Sequence, residues 1–299
     1  MWLAEQVLFQ LARSLYKTEV AHTSEMKSAL KNINAYDAYR AAEIHRIIKV
    51  LTTYRISISG RTIVDFGCSD GAISAEYLRS GAARVIGVDI DERALERARV
   101  MMQHEDRVTF IQNTVNSIPL SDESADIVIS YDVFEHVSQP AEILKEIYRI
   151  LSPGGKAVIG TWSWWHPFAP HLWSTMPVPW AHVFFSEKTV LRVCRRVYQS
   201  SWYKPTMHDY DQKGDRIPDK YTNEAISTDY LNKWLIRDFE RTVLASGFIL
   251  ATHPVPFGSR YARWTRFFLR FPWFRELLSG YVWFVLTKPP GQDKPPTLG

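Results

Sequence analysis

The chain has 299 residues, of which 46% are hydrophobic, 13% aromatic and 23% charged. This composition excludes an intrinsically disordered chain and is ample for a buried core, as one large domain or as one with a cap. A net charge of +4 leaves an anionic ligand or a membrane surface open but excludes a dedicated nucleic-acid binder, and two cysteines, Cys68 and Cys194, exclude a disulfide framework.

In chain order, Met1-Trp2-Leu3-Ala4-Glu5 lacks the basic n-region of a secretory signal. No window reaches the roughly 18 apolar residues of a spanning helix. A cytoplasmic protein is expected, touching at most the inner face of a membrane. Residues 1–60 read as a helical segment. Trp2, Leu3, Val7, Leu8, Leu11 and Leu15 share one face, and Tyr36, Tyr39, Ile44, Ile47, Ile48 and Leu51 predict a helix that packs across a sheet or over a ligand. From 61 to 160, β-branched runs at Thr62–Phe66, Val85–Asp89, Val108–Ile111, Ile127–Ser130 and Ala157–Gly160 alternate with helical stretches at Ala72–Arg79, Glu92–Met102 and Ala141–Leu151. Such alternation predicts an α/β fold with a doubly wound, mostly parallel sheet covered on both faces.

Residues 161–226 break this rhythm. Trp162, Trp164, Trp165, Trp173, Trp180 and Trp202 crowd there among histidines and prolines, and Ser186 caps a helix, so the stretch reads as an inserted aromatic-rich cap. Residues 227–288 return to the sheet with a helix over Thr228–Ser246, ended by Gly247, and strands at Phe248–Thr252 and Tyr281–Thr287, making seven strands. Between these strands Arg260, Arg263, Arg266 and Arg270 predict an arginine stripe along one aromatic helix, suited to a membrane interface or a phosphate-bearing acceptor. The polar tail, 289–299, is expected to fray.

The segment Val64-Asp65-Phe66-Gly67-Cys68-Ser69-Asp70-Gly71 follows a strand and opens a helix, with glycines where the backbone must turn sharply beside a ligand. Asp89 ends the second strand, where a carboxylate can accept two hydrogen bonds from a ribose diol. A dinucleotide loop reads G-x-G-x-x-G and cradles pyrophosphate; the acidic Asp65 would repel pyrophosphate and favour an ammonium group.

Over about Thr62 to Gly160 these residues resemble the class I S-adenosylmethionine-dependent methyltransferase family, in its small-molecule, type 11-like branch. The resemblance implies a Rossmann-like methyltransferase fold and S-adenosyl-L-methionine as cofactor. Asp65, Gly67 and Gly71 would then hold its amino-acid moiety and Asp89 its ribose, with Ile90 against adenine and Val115 offering a backbone N–H to the ring. The third motif departs from the pattern, Thr114 standing where an Asp is common. The fourth falls on Ser130–Val137, which brings in Tyr131, and Leu151-Ser152-Pro153-Gly154-Gly155 matches the turn before the fifth strand.

Methyl transfer from a sulfonium is an in-line displacement, so the cap is expected to close over the strand ends and exclude water. His136, with Glu135, His166 or His171, is the candidate base. Asp132-x-x-Glu135-His136 also has the donor types for a divalent ion, as in some family members that add a further histidine; His166 or His171 would supply it. Tyr36, Tyr39, Trp165, Trp173, His182, Arg260 and Arg263 are the candidates for acceptor binding. The expected acceptor is a small, hydrophobic or lipid-linked molecule methylated on oxygen or carbon. Carbon methylation of a prenyl diphosphate and a non-catalytic, cofactor-binding scaffold at a membrane surface are the alternatives.

Overall fold

A computed structural model describes residues 2–16, 28–30, 33–211, 213–218, 220–223, 225–228, 230–257 and 262–291. Its centre is a seven-stranded sheet of order β3-β2-β1-β4-β5-β7-β6, with β1 Thr62–Phe66, β2 Arg84–Asp89, β3 Val108–Gln112, β4 Ala125–Tyr131, β5 Leu151–Thr161, β6 Ile249–Pro256 and β7 Ser279–Thr287. The first five run parallel, and β7 enters antiparallel between β5 and β6. The order reverses at β1, leaving a crevice above the carboxyl ends of β1 and β4, where open α/β sheets bind ligands.

Neighbouring residues of each strand point to opposite faces, so one run of apolar residues feeds two cores. Ile63, Val85, Ile127, Ile129 and Val158 face one way, toward Ile47, Val50 and Leu51 of helix α3 (Ile44–Thr53) and Tyr77 of α4 (Ala72–Arg79). Val64, Ile86, Val128 and Ile159 face the other way. There they meet Ile143, Leu144 and Ile147 of α6 (Pro140–Ile150) and Phe239 and Val243 of α9 (Ile236–Ala245). Between them in sequence, α5 (Glu92–Met101) starts at Asp91, whose side chain accepts from Arg93 N–H.

The helix predicted over Tyr36–Leu51 is two helices, α2 (Ile33–Ala42) and α3, separated at Glu43. There the ladder tightens to an Arg40 O to Glu43 N bond, and the Glu43 carboxylate, buried, accepts from the Tyr131 hydroxyl at 2.6 Å. The helix predicted from Thr228 starts at Ile236, because Asn232 is drawn onto the end of β4, donating to Phe134 O and Val137 O, and Lys233 is left-handed. Strand β5 begins at Leu151 and absorbs the predicted turn as a register shift against β4, with Gly154 at φ +79° bonded to Lys288 O.

Helix α1 (Trp2–Leu15) leaves the sheet. Its Leu8, Phe9 and Ala12 pack with Val190, Val193, Cys194 and Val197 of α8 (Glu187–Tyr198), which follows the short α7 (Ala181–Phe184). Arg196 lies 3.8 Å over the Phe9 ring. The cap region thus shares a core with the chain's beginning. The predicted arginine-bearing helix is also broken: α10 (Ala262–Phe268) ends before Arg270, and α11 (Pro272–Leu278) follows. Arg260 lies outside the described residues, as does the side chain of Arg263.

One buried acid joins these parts. Glu276 in α11 accepts from the Ser163 hydroxyl and from the first amides of α9, Ile236 N–H and Arg237 N–H, at 2.8–3.1 Å. Removing it strands three donors. Glu276→Ala is expected to cost about 2–4 kcal/mol in urea unfolding, with Glu276→Gln losing less; equal stability of Glu276→Ala and the parent would count against this role.

Candidate active site

The glycine loop is built by two close approaches. Gly67 (φ +79°) and Gly71 (φ +82°) are left-handed, and a Cβ on Gly67 would sit 2.2 Å from Val133 Cγ2, one on Gly71 2.8 Å from the Phe110 ring. Gly67 and Cys68 both donate to Val88 O, so the loop folds back over the end of β2. Asp89 then accepts from Ser69 N–H and Asp91 N–H, both at 2.9 Å, one on each oxygen. Its carboxylate is therefore oriented before any ligand arrives, with lone pairs left over. Asn113, buried at the end of β3, donates to Thr114 O and takes its own amide to Asp89 O. Thr114 is spent within its turn on Asn116 and Ser117, while Ile90 and Val115 are exposed beside it.

Asp65, at the end of β1, is buried and accepts from the Ser74 hydroxyl. Burial pushes its carboxyl up to about 7 from the usual 3.8, against the Ser74 bond and Arg40, which lower it. Burial first, then Asp65 and Asp89, pushes the Cys68 thiol above its usual range, so Cys68 is a packed residue. The cleft is acidic. It suits a cationic group and opposes pyrophosphate.

The other side of the cleft turns on Asp132, a left-handed residue (φ +55°) just past β4. Its carboxylate accepts from Arg40 (2.7 Å), Trp162 Nε1 (3.0 Å) and the Tyr281 hydroxyl (2.7 Å). Arg40 also bonds Tyr131 O. The Tyr131 ring is directed to the helical side, stacked 5.6 Å from Trp283 and bonded to Glu43, so its side chain does not reach the cofactor cleft as the motif implied. Tyr39, half-buried on α2, lies among the charges of Glu43, Arg46 and Asp132, and Tyr36 is edge-on to His208 at 6.3 Å.

One turn after Asp132 lie Glu135 and His136. Glu135 is buried, with Oε2 accepting from the Thr161 hydroxyl at 2.7 Å and burial, reinforced by Asp132, pushing it up to about 8. His136 Nδ1 is 2.7 Å from Tyr230 O, which makes Nδ1 the protonated nitrogen and leaves Nε2 as an acceptor. His171 lies edge-on to it at 5.1 Å and stacks on Trp173; burial, then the charge of His136, pushes it down to about 3. Trp162 closes the group, 5.3 Å from His171 and 5.7 Å from Trp173.

Three candidates fall elsewhere. His166 is buried with Nδ1 accepting from Phe168 N–H and a second backbone bond at Gly280, so neither nitrogen is open to a substrate or a metal. His182 bonds Trp164 O and is pushed down to about 4 by burial. Trp165 meets Trp273 at 5.9 Å, on the α11 side, and Trp162 is the tryptophan that packs on His171. Asp132 is committed to three donors and does not join Glu135 and His136 as an open ligand. Arg40, Glu43, Asn113, Trp162, Tyr281 and Asn232 were not among the candidate site residues. Of the missed residues only Trp162 carried a signal, since it follows the carboxyl end of a central strand.

Residues 64–159 match the family profile described as a methyltransferase domain. An uncharacterized methyltransferase of Mycobacteroides abscessus is 34% identical over 118 residues, 39% of this chain and 45% of that protein. A probable S-adenosylmethionine-dependent methyltransferase of Mycolicibacterium smegmatis is 31% identical over 117 residues, 39% of this chain and 43% of that protein. Over residues 64–159 this chain is thus similar to S-adenosylmethionine-dependent methyltransferases. The match spans less than half the length of these relatives. Two solved structures share the methyltransferase fold. The Bacillus subtilis YcgJ protein is 13% identical at TM-score 0.50, covering 83% of this chain and all of that one. The [4+2]-cyclase SpnF is 16% identical at TM-score 0.50, covering 82% and 81%.

The family's cofactor is S-adenosylmethionine, and the residues present fit it. Asp65 is a buried carboxyl that a cation would favour in its ionised form, and Asp89 is a pre-oriented acceptor pair. Asp89→Ala is expected to weaken cofactor binding by about 1–3 kcal/mol, or roughly 5- to 150-fold, by calorimetry; an unchanged affinity would remove Asp89 from the ribose position. For Asp65 the folded value lies above the unfolded one, so its contribution to stability is complete below about 3.8 and is lost as pH rises through about 7. A cofactor ammonium favours the ionised form, so affinity should climb across the same interval and level off above about 7. Asp65→Asn should bind more weakly and flatten that climb, as calorimetric titrations across the interval would show.

Proposed function

We propose that this chain transfers a methyl group from S-adenosylmethionine to an oxygen of a hydrophobic or lipid-linked acceptor held between β4 and the aromatic segment after β5. The observation that carries the reading is the meeting of an acidic, cation-seeking cleft with the ring group Trp162, His171, Trp173 and Tyr230 over the end of β4. Bound S-adenosylmethionine supplies an electrophilic methyl group on a sulfonium. The chain's residues align the acceptor, keep the path dry and receive the hydroxyl proton. Trp162 and Trp173 supply the dry wall, and the Asp132 bond to Trp162 Nε1 holds that wall in register with the strand end. The proton is received at the Glu135, His136 and His171 group, whose burial disfavours charge before the acceptor arrives.

A membrane-borne acceptor is favoured by the surface of α10 and α11. Trp264 (72% exposed), Phe267, Phe271, Trp273 (68%) and Phe274 stand in water beside Arg266 and Arg270. No acid pairs with either arginine among the described residues. Trp165 packs tilted against Trp273 and links this surface to the cap segment. Rings at the interface and arginines at anionic headgroups are the physical match. Among the described residues no helix is long and apolar enough to cross a membrane, so contact would be peripheral. Carbon methylation of a prenyl diphosphate loses support because Arg266 and Arg270 do not lie on one helix.

Release of S-adenosylhomocysteine, measured against phenols, glycolipids and prenyl diphosphates presented in anionic vesicles, tests the reading. Turnover on a hydroxylated amphiphile, weakened in Trp264→Ser/Phe267→Ser but not for a soluble phenol, is the expected pattern. Cofactor binding with turnover on no acceptor would favour a scaffold, or a non-methylating reaction on this fold as in the cyclase named above.

A further inference from the structure

We propose that Glu135, His136 and His171 form a binding site for a divalent first-row transition ion. Glu135 Oε1 and His171 Nε2 are both buried and have no hydrogen-bond partner. Orphaned polar atoms in an interior are costly, and two of them belong to residues of one potential ligand cluster. His136 completes the set. Its Nδ1 is held by Tyr230 O, so Nε2 presents a lone pair, the arrangement in which a backbone carbonyl fixes the tautomer of a metal-binding imidazole. Glu135 is steadied in the same way, with Oε2 taken by the Thr161 hydroxyl and Oε1 left over. Oxygen and nitrogen donors from all three residues lie within 4.8 Å of one another.

The donor set selects the ion. Two imidazoles and one carboxylate suit Zn²⁺, Fe²⁺, Mn²⁺ or Co²⁺, whereas Mg²⁺ and Ca²⁺ prefer oxygen alone. A tetrahedral ion with bonds near 2.1 Å places its ligands about 3.4 Å apart, so binding draws the three side chains together. Asp132 stays outside because Arg40, Trp162 and Tyr281 occupy it. Three protein ligands leave a coordination position open, which is the form of a site that binds an exchangeable oxygen and not of a closed structural one. On the acceptor proposed above, that oxygen would be the hydroxyl to be methylated. With the ion bound, Glu135, His136 and His171 act as ligands in place of proton acceptors, and the proton would pass to solvent from an oxygen polarised by the ion. The ion site itself depends only on the three side chains.

The full chain, stripped by chelator and titrated with Co²⁺, should develop visible d–d bands at one equivalent, displaceable by Zn²⁺, and should melt at a higher temperature with either ion. Glu135→Gln and His171→Gln should each lose the bands and the ion-induced rise in melting temperature, each read against that variant's own ion-free melting temperature. Calorimetric binding of S-adenosylmethionine should persist in both variants, which separates this proposal from the methyltransferase reading. Spectra that stay those of aqueous Co²⁺ would overturn the site, as would bands that survive in the Glu135→Gln/His171→Gln double variant. Ion-free destabilisation of both variants with no ion response in the parent would make the group a packing feature.

Discussion

The site depends on one carboxylate. Asp132 takes a left-handed turn at the end of β4, and from there its oxygens collect Arg40 from the N-terminal helices, Trp162 from the end of β5 and Tyr281 from β7. These come from segments far apart in sequence, two of which also pack rings on one another: Trp162 and Tyr281 lie 6.4 Å apart. A charge-assisted bond from Arg40 offsets the desolvation of a mostly buried acid, and the two neutral donors fix its rotamer. Without that knot the aromatic wall and the helical lid would have no common reference to the sheet. With it, the aromatic group is positioned by the turn after β4 that also carries Glu135 and His136.

The electrostatics divide the cleft into two regions. On the glycine-loop side, acids outnumber bases and burial raises Asp65 toward neutrality, a state that a bound cation reverses. On the β4 side, burial works in both directions at once: it raises Glu135 and lowers His136 and His171, so that the group is poised uncharged. A neutral acid beside neutral imidazoles avoids buried charge but leaves acceptor atoms unmatched. The first region suits a positive nucleoside and the second an ion or a proton.

Much of this was legible. The parallel strands and their crossover helices carry short β-branched runs and helical spacing that tertiary packing does not override, and the loop from Asp65 to Gly71 with Asp89 lies on one βαβ unit, where local chain geometry alone brings the residues together. The misreadings share a cause. Tyr131 follows the strand's alternation to the helical face, where Glu43 waits 88 positions earlier in the chain. Asn232 pulls what would be helix onto the end of β4. His166 and Trp165, in a segment without periodicity, were assigned by residue type, and their partners are a backbone amide and a ring on α11.

By itself the sequence determined the sheet, its crossovers and the cofactor loop, because hydrophobic periodicity and left-handed glycines act over distances of a few residues. Only the tertiary structure decided which histidine stands beside His136, which tryptophan walls the cleft and that Arg40 closes it. Those choices are made by burial and by hydrogen bonds between segments separated by tens to hundreds of residues. The free energy of such contacts exists only once the chain has folded back on itself.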